Sequence, residues 1–531
     1  MDRICLRYRP RMTTSGVRLN EVLVAISMAT DLGLGQPSEH MVRSARLSMR
    51  LGERLGLDRP QLAVLYDVSL LTYVGCPVYG NEAALVFGDD IDFRSGSYDV
   101  DLRMREGMRY MLGHAGKGAP LVNRWQQAVR LMATGGRDVA EQMANHCSAA
   151  GLLADRLGLG GEVRTGIEQS YARWDGKGVP GDLHGDQLSF ASRISHVADA
   201  AEVLERRLGF SDAVEAIRSR RGTHFDPEVL DAFATDPWDL FDGIADDSID
   251  QLLELEPVER APLTDEGLDA ALEAVGDFCD LRTPFFAGHA RGTAELAAGA
   301  AELLGLPDDE VRLLRRAGNV HDVGRFGVPG NVLSKPSPLG GSDLERMRMH
   351  VYYVERIFSR PEPLKRVGLL ASMHHERMDG SGYHRAASGV VLTTSCRILA
   401  VADAYHAMLQ PRPYREPLSP EKAASEILTD VGAGRFDPVA AQAVLEVAGH
   451  QRRATRSPGP SGLTARECEV LALLAVGEPN KVIARRLGIS AKTVGNHVEH
   501  VYAKLGVGNR ASAALVAMQL GIVGAHLPGP G

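Results

Sequence analysis

The chain has 531 residues, 44% hydrophobic and 24% charged, with a formal net charge of -9. That length exceeds what one hydrophobic core serves, so about three domains are expected, and the composition is that of a folded globular protein rather than a disordered or fibrous one. Cys5, Cys76, Cys147, Cys279, Cys396 and Cys468 stand far apart with no C-x-x-C pair, which argues against a thiolate zinc cage and a disulfide framework.

The opening MDRICLRYRPRM is basic but lacks the apolar core of a signal peptide, and no stretch approaches the roughly 18 apolar residues of a membrane span. A cytoplasmic protein with no membrane partner is expected, and Met12 offers an alternative start.

Internal registers then reveal a duplication. Asp31 precedes His40 by nine residues and His40 precedes Thr72 by 32; Asp280 precedes His289 by nine and His289 precedes His321 by 32. His146 stands 29 residues before Asp175, as His350 does before Asp379, and 24 more residues lead to Asp199 and Asp403. Both copies close with Phe-Asp-Pro, at Phe225 and Phe436. One length differs: 74 residues separate Thr72 from His146, against 29 between His321 and His350. The first copy therefore carries an insertion of about 45 residues near 80–130, whose polar FGDDIDFRSGSYDVD reads as a surface excursion.

Residues 12–235 form the first copy, acidic residues 236–262 a linker or short bridging helix, residues 263–449 the second copy, and residues 450–462, HQRRATRSPGPSG, a flexible joint. Strand signals are nearly missing. Segments such as GTAELAAGAAELLGL and DLERMRMHVYYVERIF repeat apolar residues at helical spacing, so the expected fold is all-α.

Nitrogen and oxygen donors accumulate in the second copy. His321 and Asp322 end an apolar helical run before a Pro329-Gly330 turn, and His350 shares a helix face with Met347, Val354 and Ile357 and so points inward. His374, His375 and Asp403 complete the set. One such histidine is ordinarily a packed core residue. Several donors buried together without a cation would leave imidazoles and carboxylates mutually unsatisfied, at a cost of several kcal/mol. No sulfur is offered, so Mn, Fe, Ni and Zn are all admissible.

The segment resembles the HD-GYP branch of the HD phosphohydrolase superfamily, whose signature is H-D-x-G-K, a lone His, H-H-E-x-x-D-G-x-G-Y-P and A-D-x-x-D-A. The counterparts here are HDVGR at 321–325, His350, HHERMDGSGYH at 374–384 and ADAYHA at 402–407. The resemblance implies an all-helical HD domain with two or three bridged divalent transition metals that hydrolyses a phosphodiester, typically cyclic di-GMP. The ligands it implies are His289, His321, Asp322, His350, His374, His375 and Asp403. It further implies catalytic roles for Asp322 and Arg325, and ligand contacts from Arg325, Tyr383, Arg412 and Arg415, whose guanidinium forks suit phosphate and guanine edges. Three positions depart from the pattern: Arg325 stands for Lys, His384 for Pro and His406 for Asp. Arg keeps the charge of Lys but presents it as a planar fork.

The first copy keeps His40, His146, Asp175 and Asp199, but Thr72 and Tyr73 occupy the His-Asp positions and Ser170 and Tyr171 the His-His positions. Hydroxyls and phenols do not replace imidazole on a borderline metal, so this copy reads as a degenerate HD-type domain without a catalytic centre.

From Gln451 onward ten Lys or Arg face four Glu, a local charge of +6 against -15 for the preceding 450 residues, which points to an anionic partner. Thr464 with Glu467 forms a capping box, Asn480 is a candidate cap for KVIARRLG, that helix stops at Gly488, and Ser490 caps a third helix. The short GIS connection is helix-turn-helix geometry. In the third helix Val494, Val498, Val501 and Leu505 make a buried stripe; Thr493, Asn496, His497, His500 and Lys504 take the neighbouring face, with Lys492 at the exposed first turn. That set suits base edges and phosphates. Residues 463–524 resemble the LuxR-type DNA-binding domain through L-T-x-R-E, L-x-I-S-x-x-T-V-x-x-H and K-L-x-V-x-x-R. The resemblance implies a four-helix domain on double-stranded DNA, adds Ser490 and Arg510 to the DNA-facing set, and implies a homodimer paired through Val507 to Leu520.

Three functions follow as expectations. The first is a DNA-binding transcription regulator whose HD-type domains sense or hydrolyse cyclic di-GMP or another nucleotide. The second is an active metal-dependent phosphodiesterase with a DNA-binding tail. The third is a helical protein-binding scaffold.

Overall fold

The computed structural model describes residues 16–98, 100, 105–118, 120–134, 137–244, 248–360, 362–451, 463–507, 509–520 and 522. Met12 and residues 452–462 of the expected joint lie outside them. The described residues hold helices and three isolated bridges but no strand, so the all-α fold stands. The chain divides into Met1–His450 and Gln451–Gly531.

The duplication is visible helix by helix in the first unit. Leu19–Leu34, His40–Arg54, Arg59–Leu71, Arg137–Arg156, Gly161–Glu168, Phe190–Leu208, Phe210–Arg218 and Pro227–Thr235 are matched in order by Asp265–Asp280, His289–Leu303, Asp308–Val320, Gly341–Ser359, Lys365–Ala371, Thr394–Leu409, Pro420–Gly432 and Pro438–Val447. The nine-residue register is a cap: Asp31 Oδ1 accepts the Met41 N–H at 3.0 Å and Asp280 Oδ2 the Ala290 N–H at 2.9 Å. Each carboxylate thus anchors the first turn of the helix that begins with His40 or His289, and burial pushes both acids up to about 7.

Phe-Asp-Pro is a helix start. Asp226 and Asp437 cap the final helix of each copy, with proline at the first helical position and Phe225 and Phe436 buried beneath. Close approach also recurs. A Cβ on Gly75 would lie 2.2 Å from the His146 carbonyl oxygen, and one on Gly324 would lie 2.0 Å from that of His350. Only glycine lets the His-Asp turn close on that helix.

The insertion departs from the surface excursion expected of it. Its helices Gly80–Phe87 and Asp90–Ser97 bury Asp90, Phe93 and Arg94. Asp90 Oδ1 accepts the Gly330 N–H of the second copy at 2.7 Å, and Asp90 Oδ2 pairs with Arg94 at 2.6 Å and Arg282 at 3.4 Å. Arg282 donates in turn to the carbonyls of Pro77 and Val328. Asp89, which pairs with Arg346 at 2.9 Å, and Asp90 are thus inter-copy partners, whereas Asp92 stays exposed beside Lys117. The acidic segment also folds: Pro237–Phe241 and Ser248–Glu254 bury Leu240, Ile249 and Leu252, and buried Arg46 of the first copy donates to the Gly243 carbonyl at 3.0 Å.

The tail unit comprises Ala465–Ala475, Asn480–Leu487, Ala491–Leu505 and Arg510–Gln519 around Val470, Leu471, Leu474, Ile483, Val494, Val501 and Ala513. The Thr464–Glu467 capping box forms, Gly488 is left-handed at φ 65°, and Ser490 Oγ accepts the Thr493 N–H. Asn480 is the first helical residue rather than the cap, because Pro479 with its fixed φ of -62° takes that place.

Candidate functional site: a metal centre and a helical reader

Five helical elements and their ends bring the second-copy donors together. His289 opens its helix, His321 and Asp322 close another, His350 lies mid-helix, His374 and His375 follow Lys365–Ala371, and Asp403 lies within Thr394–Leu409. Asp322 is the hub. Its Oδ2 lies 3.5 Å from His289 Nε2 and 3.2 Å from His321 Nε2, and its Oδ1 lies 3.5 Å from His350 Nε2 and 3.7 Å from His374 Nε2. Asp403 Oδ1 lies 3.1 Å from His289 Nε2 and 3.6 Å from His321 Nε2, while Asp403 Oδ2 lies 3.8 Å from His375 Nδ1. The donors form two groups, His289-His321-Asp322 and His350-His374-His375, and no such group occurs in the first copy among the described residues.

Main-chain carbonyls orient the rings. Nδ1 of His321, His350 and His374 meets the carbonyls of Gly318, Met347 and Ala371 at 2.7, 2.5 and 2.7 Å. At His350 and His374 the Nδ1 therefore carries the proton and the Nε2 presents a lone pair. His350 Nε2 and His374 Nε2 face each other at 3.2 Å, two acceptors that repel unless a cation lies between them. His321 Nε2 and both Asp322 oxygens are buried without a well-formed hydrogen bond. The donor set fits divalent metal on these grounds.

Electrostatics agree. Burial holds His374 and His375 well below the ordinary imidazole value and lowers His350 to about 4, so all three are neutral, ligand-ready bases. At His321 burial is outweighed by Asp322 and Asp403, which raise it to about 10, so these carboxylates favour a cation there, a proton or a metal ion. Burial opposes ionisation of Asp322 as well, but Arg325 and His321 prevail and hold it well below the carboxylate range.

The expected ligand-contacting residues divide. Arg325 and Arg412 lie over the Phe286 ring, at 4.0 and 4.8 Å from its centroid, and Arg325 Nη1 pairs with Asp322 Oδ2 at 2.6 Å. Tyr383 stacks obliquely on His375 at 4.7 Å. Arg415 instead donates to the carbonyls of Ala407 at 2.8 Å and Met408 at 3.1 Å, bracing the end of the Asp403 helix.

In the tail, Lys492, Thr493, Asn496 and His500 are exposed on Ala491–Leu505, His497 is half-buried, and Ser490 is engaged as its cap. Lys504 Nζ pairs with the buried Glu467 at 2.6 Å, and Arg510 donates to the Leu474 carbonyl at 3.1 Å and to that of Glu478. Lys504 remains exposed while so paired, and Arg510 is half-buried.

Residues 137–229 and 273–439 match the HD domain family, and residues 461–517 match the family of bacterial regulatory proteins, luxR family. The chain carries an HD domain matched over two segments and a luxR-family domain at its C-terminal end. The HD-bearing part is 28% identical over 410 residues to 3'3'-cGAMP-specific phosphodiesterase 3 of Vibrio cholerae, covering 76% of this chain and 89% of that one. It is 33% identical over 175 residues to the cyclic di-GMP phosphodiesterase response regulator RpfG of Xanthomonas campestris, covering 31% of this chain and 46% of that one. A crystal structure of the cyclic GMP-AMP specific phosphodiesterase of V. cholerae shares the fold, with a TM-score of 0.57 at 24% identity over 82% of this chain and 99% of that one. HD-domain phosphodiesterases are metal-dependent. No helix among the described residues is long and apolar enough to cross a membrane.

The first HD copy fills its pocket with itself. His40 pairs through Nε2 with Asp199 at 3.0 Å and through Nδ1 with Glu202 at 2.6 Å, Tyr171 meets Cys76 at 2.6 Å, and His146 stacks on Tyr79 at 4.5 Å. Asp175 and Asp379 both form turns, accepting the N–H groups of Lys177 and Ser381.

Two residues of the second HD copy were not singled out from sequence. Glu376 is buried and accepts the Arg385 and Ala387 N–H groups at 2.8 Å each, fixing the loop that carries Tyr383; its place beside the paired histidines was the available signal. Phe286, the shared platform of Arg325 and Arg412, left none. His406, noted from sequence only as a departure, faces His289 Nδ1 at 3.2 Å, where Glu202 faces His40 in the first copy.

Proposed function

We propose that this chain is a DNA-binding regulator whose second HD copy holds two or three divalent transition metals, Mn, Fe, Ni or Zn, and hydrolyses a cyclic dinucleotide such as cyclic di-GMP or 3'3'-cGAMP. The observation that carries the reading is the pair of bare Nε2 atoms of His350 and His374, 3.2 Å apart beside a carboxylate that also reaches His289 and His321. His289, His321, Asp322 and Asp403 would hold one ion, and Asp322, His350, His374 and His375 a second.

Bound divalent cations supply Lewis acidity toward a phosphodiester and lower the pKa of water. The chain's own residues do the rest. Arg412, and Arg325 through the guanidinium edge left free by Asp322, offer fixed positive charge to phosphate oxygens beside the Phe286 ring. Carbonyls on Nδ1 keep the imidazoles from turning away. Tyr383, on the loop pinned by Glu376, walls the side near His375.

A second reading, binding without turnover, is favoured by the 2.6 Å contact of Arg325 with Asp322 Oδ2, which places a guanidinium on an oxygen the ligand set shares. Four features support the tail as a reader of double-stranded DNA in a homodimer: its family match, its positive charge, and exposed Lys492 and Asn496.

The test is metal quantification on the purified full chain, followed by chromatography of cyclic di-GMP and 3'3'-cGAMP incubations with Asp322→Ala as control. Linear product that vanishes in the variant establishes hydrolysis. Bound metal and nucleotide without product leaves the binding reading, and a chain that retains no transition metal overturns both.

A further inference from the structure

Within the insertion, Leu121–Thr134 is apolar on both sides. Leu131 and Ala128 face inward onto Val86, Phe87, Phe93 and Met111. The opposite side leaves Leu121 72%, Val122 68%, Trp125 70%, Val129 52% and Met132 55% exposed. Positions 122, 125, 129 and 132 follow the three-four-three spacing of a coiled-coil seam, with uncharged Leu121 and Gln126 beside it and Arg130 at its border.

We propose that this face is where two copies of the chain pair, helix against helix about a two-fold axis. Area supports that occupant. At these exposures the five side chains present roughly 600 Å² of apolar surface, at the upper end of what a monomer leaves in one patch. Two such faces bury on the order of 1,200 Å², the threshold of a stable interface. Symmetry supports it too, since a seam pairing with itself is isologous and closes at two. The inference rests on the proposed reading only in that a helix-turn-helix reader works in pairs; it assigns the pairing to the HD unit.

Sedimentation of the full chain, without DNA or nucleotide, compares wild type with the double variant Trp125→Glu, Val129→Glu. The expected result is twice the chain mass for wild type and a single mass for the variant, with unchanged helicity. A second arm places Val129→Cys in a Cys5→Ser background, the other five cysteines being buried. Mild oxidation is expected to link two chains through position 129, which decides the matter if the charged variant misfolds. A monomeric wild type, a charged variant that stays dimeric, or a dimeric Val129→Cys chain that never cross-links overturns the proposal. Shielding of the face by the chain's own tail shows itself as a monomer and has the same consequence. A chain that pairs here yet ignores DNA keeps the seam and sinks the DNA reading instead.

Discussion

His350 and His374 point their Nε2 atoms at each other across 3.2 Å while their Nδ1 atoms donate to the carbonyls of Met347 and Ala371. Two lone pairs fixed in that relation repel until a proton or a metal ion lies between them. Asp322 reaches both donor groups, whereas His289 touches one. Asp322→Ala is therefore expected to lose nearly all bound metal, and His289→Ala to retain roughly half, because His289 serves one donor group only. Elemental analysis after gel filtration measures both; equal retention by the two variants would contradict the bridging role.

The sealed first copy makes a pH prediction. Burial disfavours a charged His40, but Asp199 and Glu202 prevail and raise it to about 10 from an ordinary 6.5. Between those values the folded chain holds a proton that the unfolded chain releases, so the stabilisation is complete below the lower value and is lost as pH rises through the higher. The melting temperature of wild type is expected to fall across that window, by an amount equivalent to several kcal/mol at its alkaline end. His40→Gln is expected to start lower and to flatten the slope; parallel curves would refute the assignment.

Asp90 ties the insertion to the loop after the His-Asp turn through Gly330, with Arg94 and Arg282 on its second oxygen. Asp90→Ala removes the one carboxylate that faces the buried Arg94 and Arg282, leaves them only carbonyl partners, and is expected to cost about 3 kcal/mol in urea unfolding. Asp90→Asn, which keeps an acceptor for the Gly330 N–H, is expected to cost less. Because Gly330 follows Arg325 by five residues, the alanine variant should also release metal faster when challenged with a chelator.

The tail separates binding from bracing. Lys492→Ala is expected to weaken binding to all DNA sequences and reduce the salt dependence by about one charge. Asn496→Ala should change sequence preference. Lys504→Ala, which breaks the pair with Glu467, is expected to lower the stability of the domain by about 1 kcal/mol while leaving the salt slope unchanged. Titration by fluorescence anisotropy at several salt concentrations distinguishes the three.

The duplication, the helical class, the tail's capping box and third helix, and the donor types of the candidate metal centre were legible in the linear chain, because these rest on spacing. The repeated nine-residue register from aspartate to histidine marked the two copies, and helical periodicity placed His350 inward. Which polar residues are partners rather than solvated was not legible there. Asp90 looked like loop, but Gly330, some 240 residues away, makes it core. Lys504 and Arg510, expected in the DNA-facing set, also engage Glu467 and the carbonyls of Leu474 and Glu478, partners that spacing did not reveal. Local pattern records how a segment folds on itself; burial of a charge depends on a partner distant in sequence, and only the folded chain brings the two together.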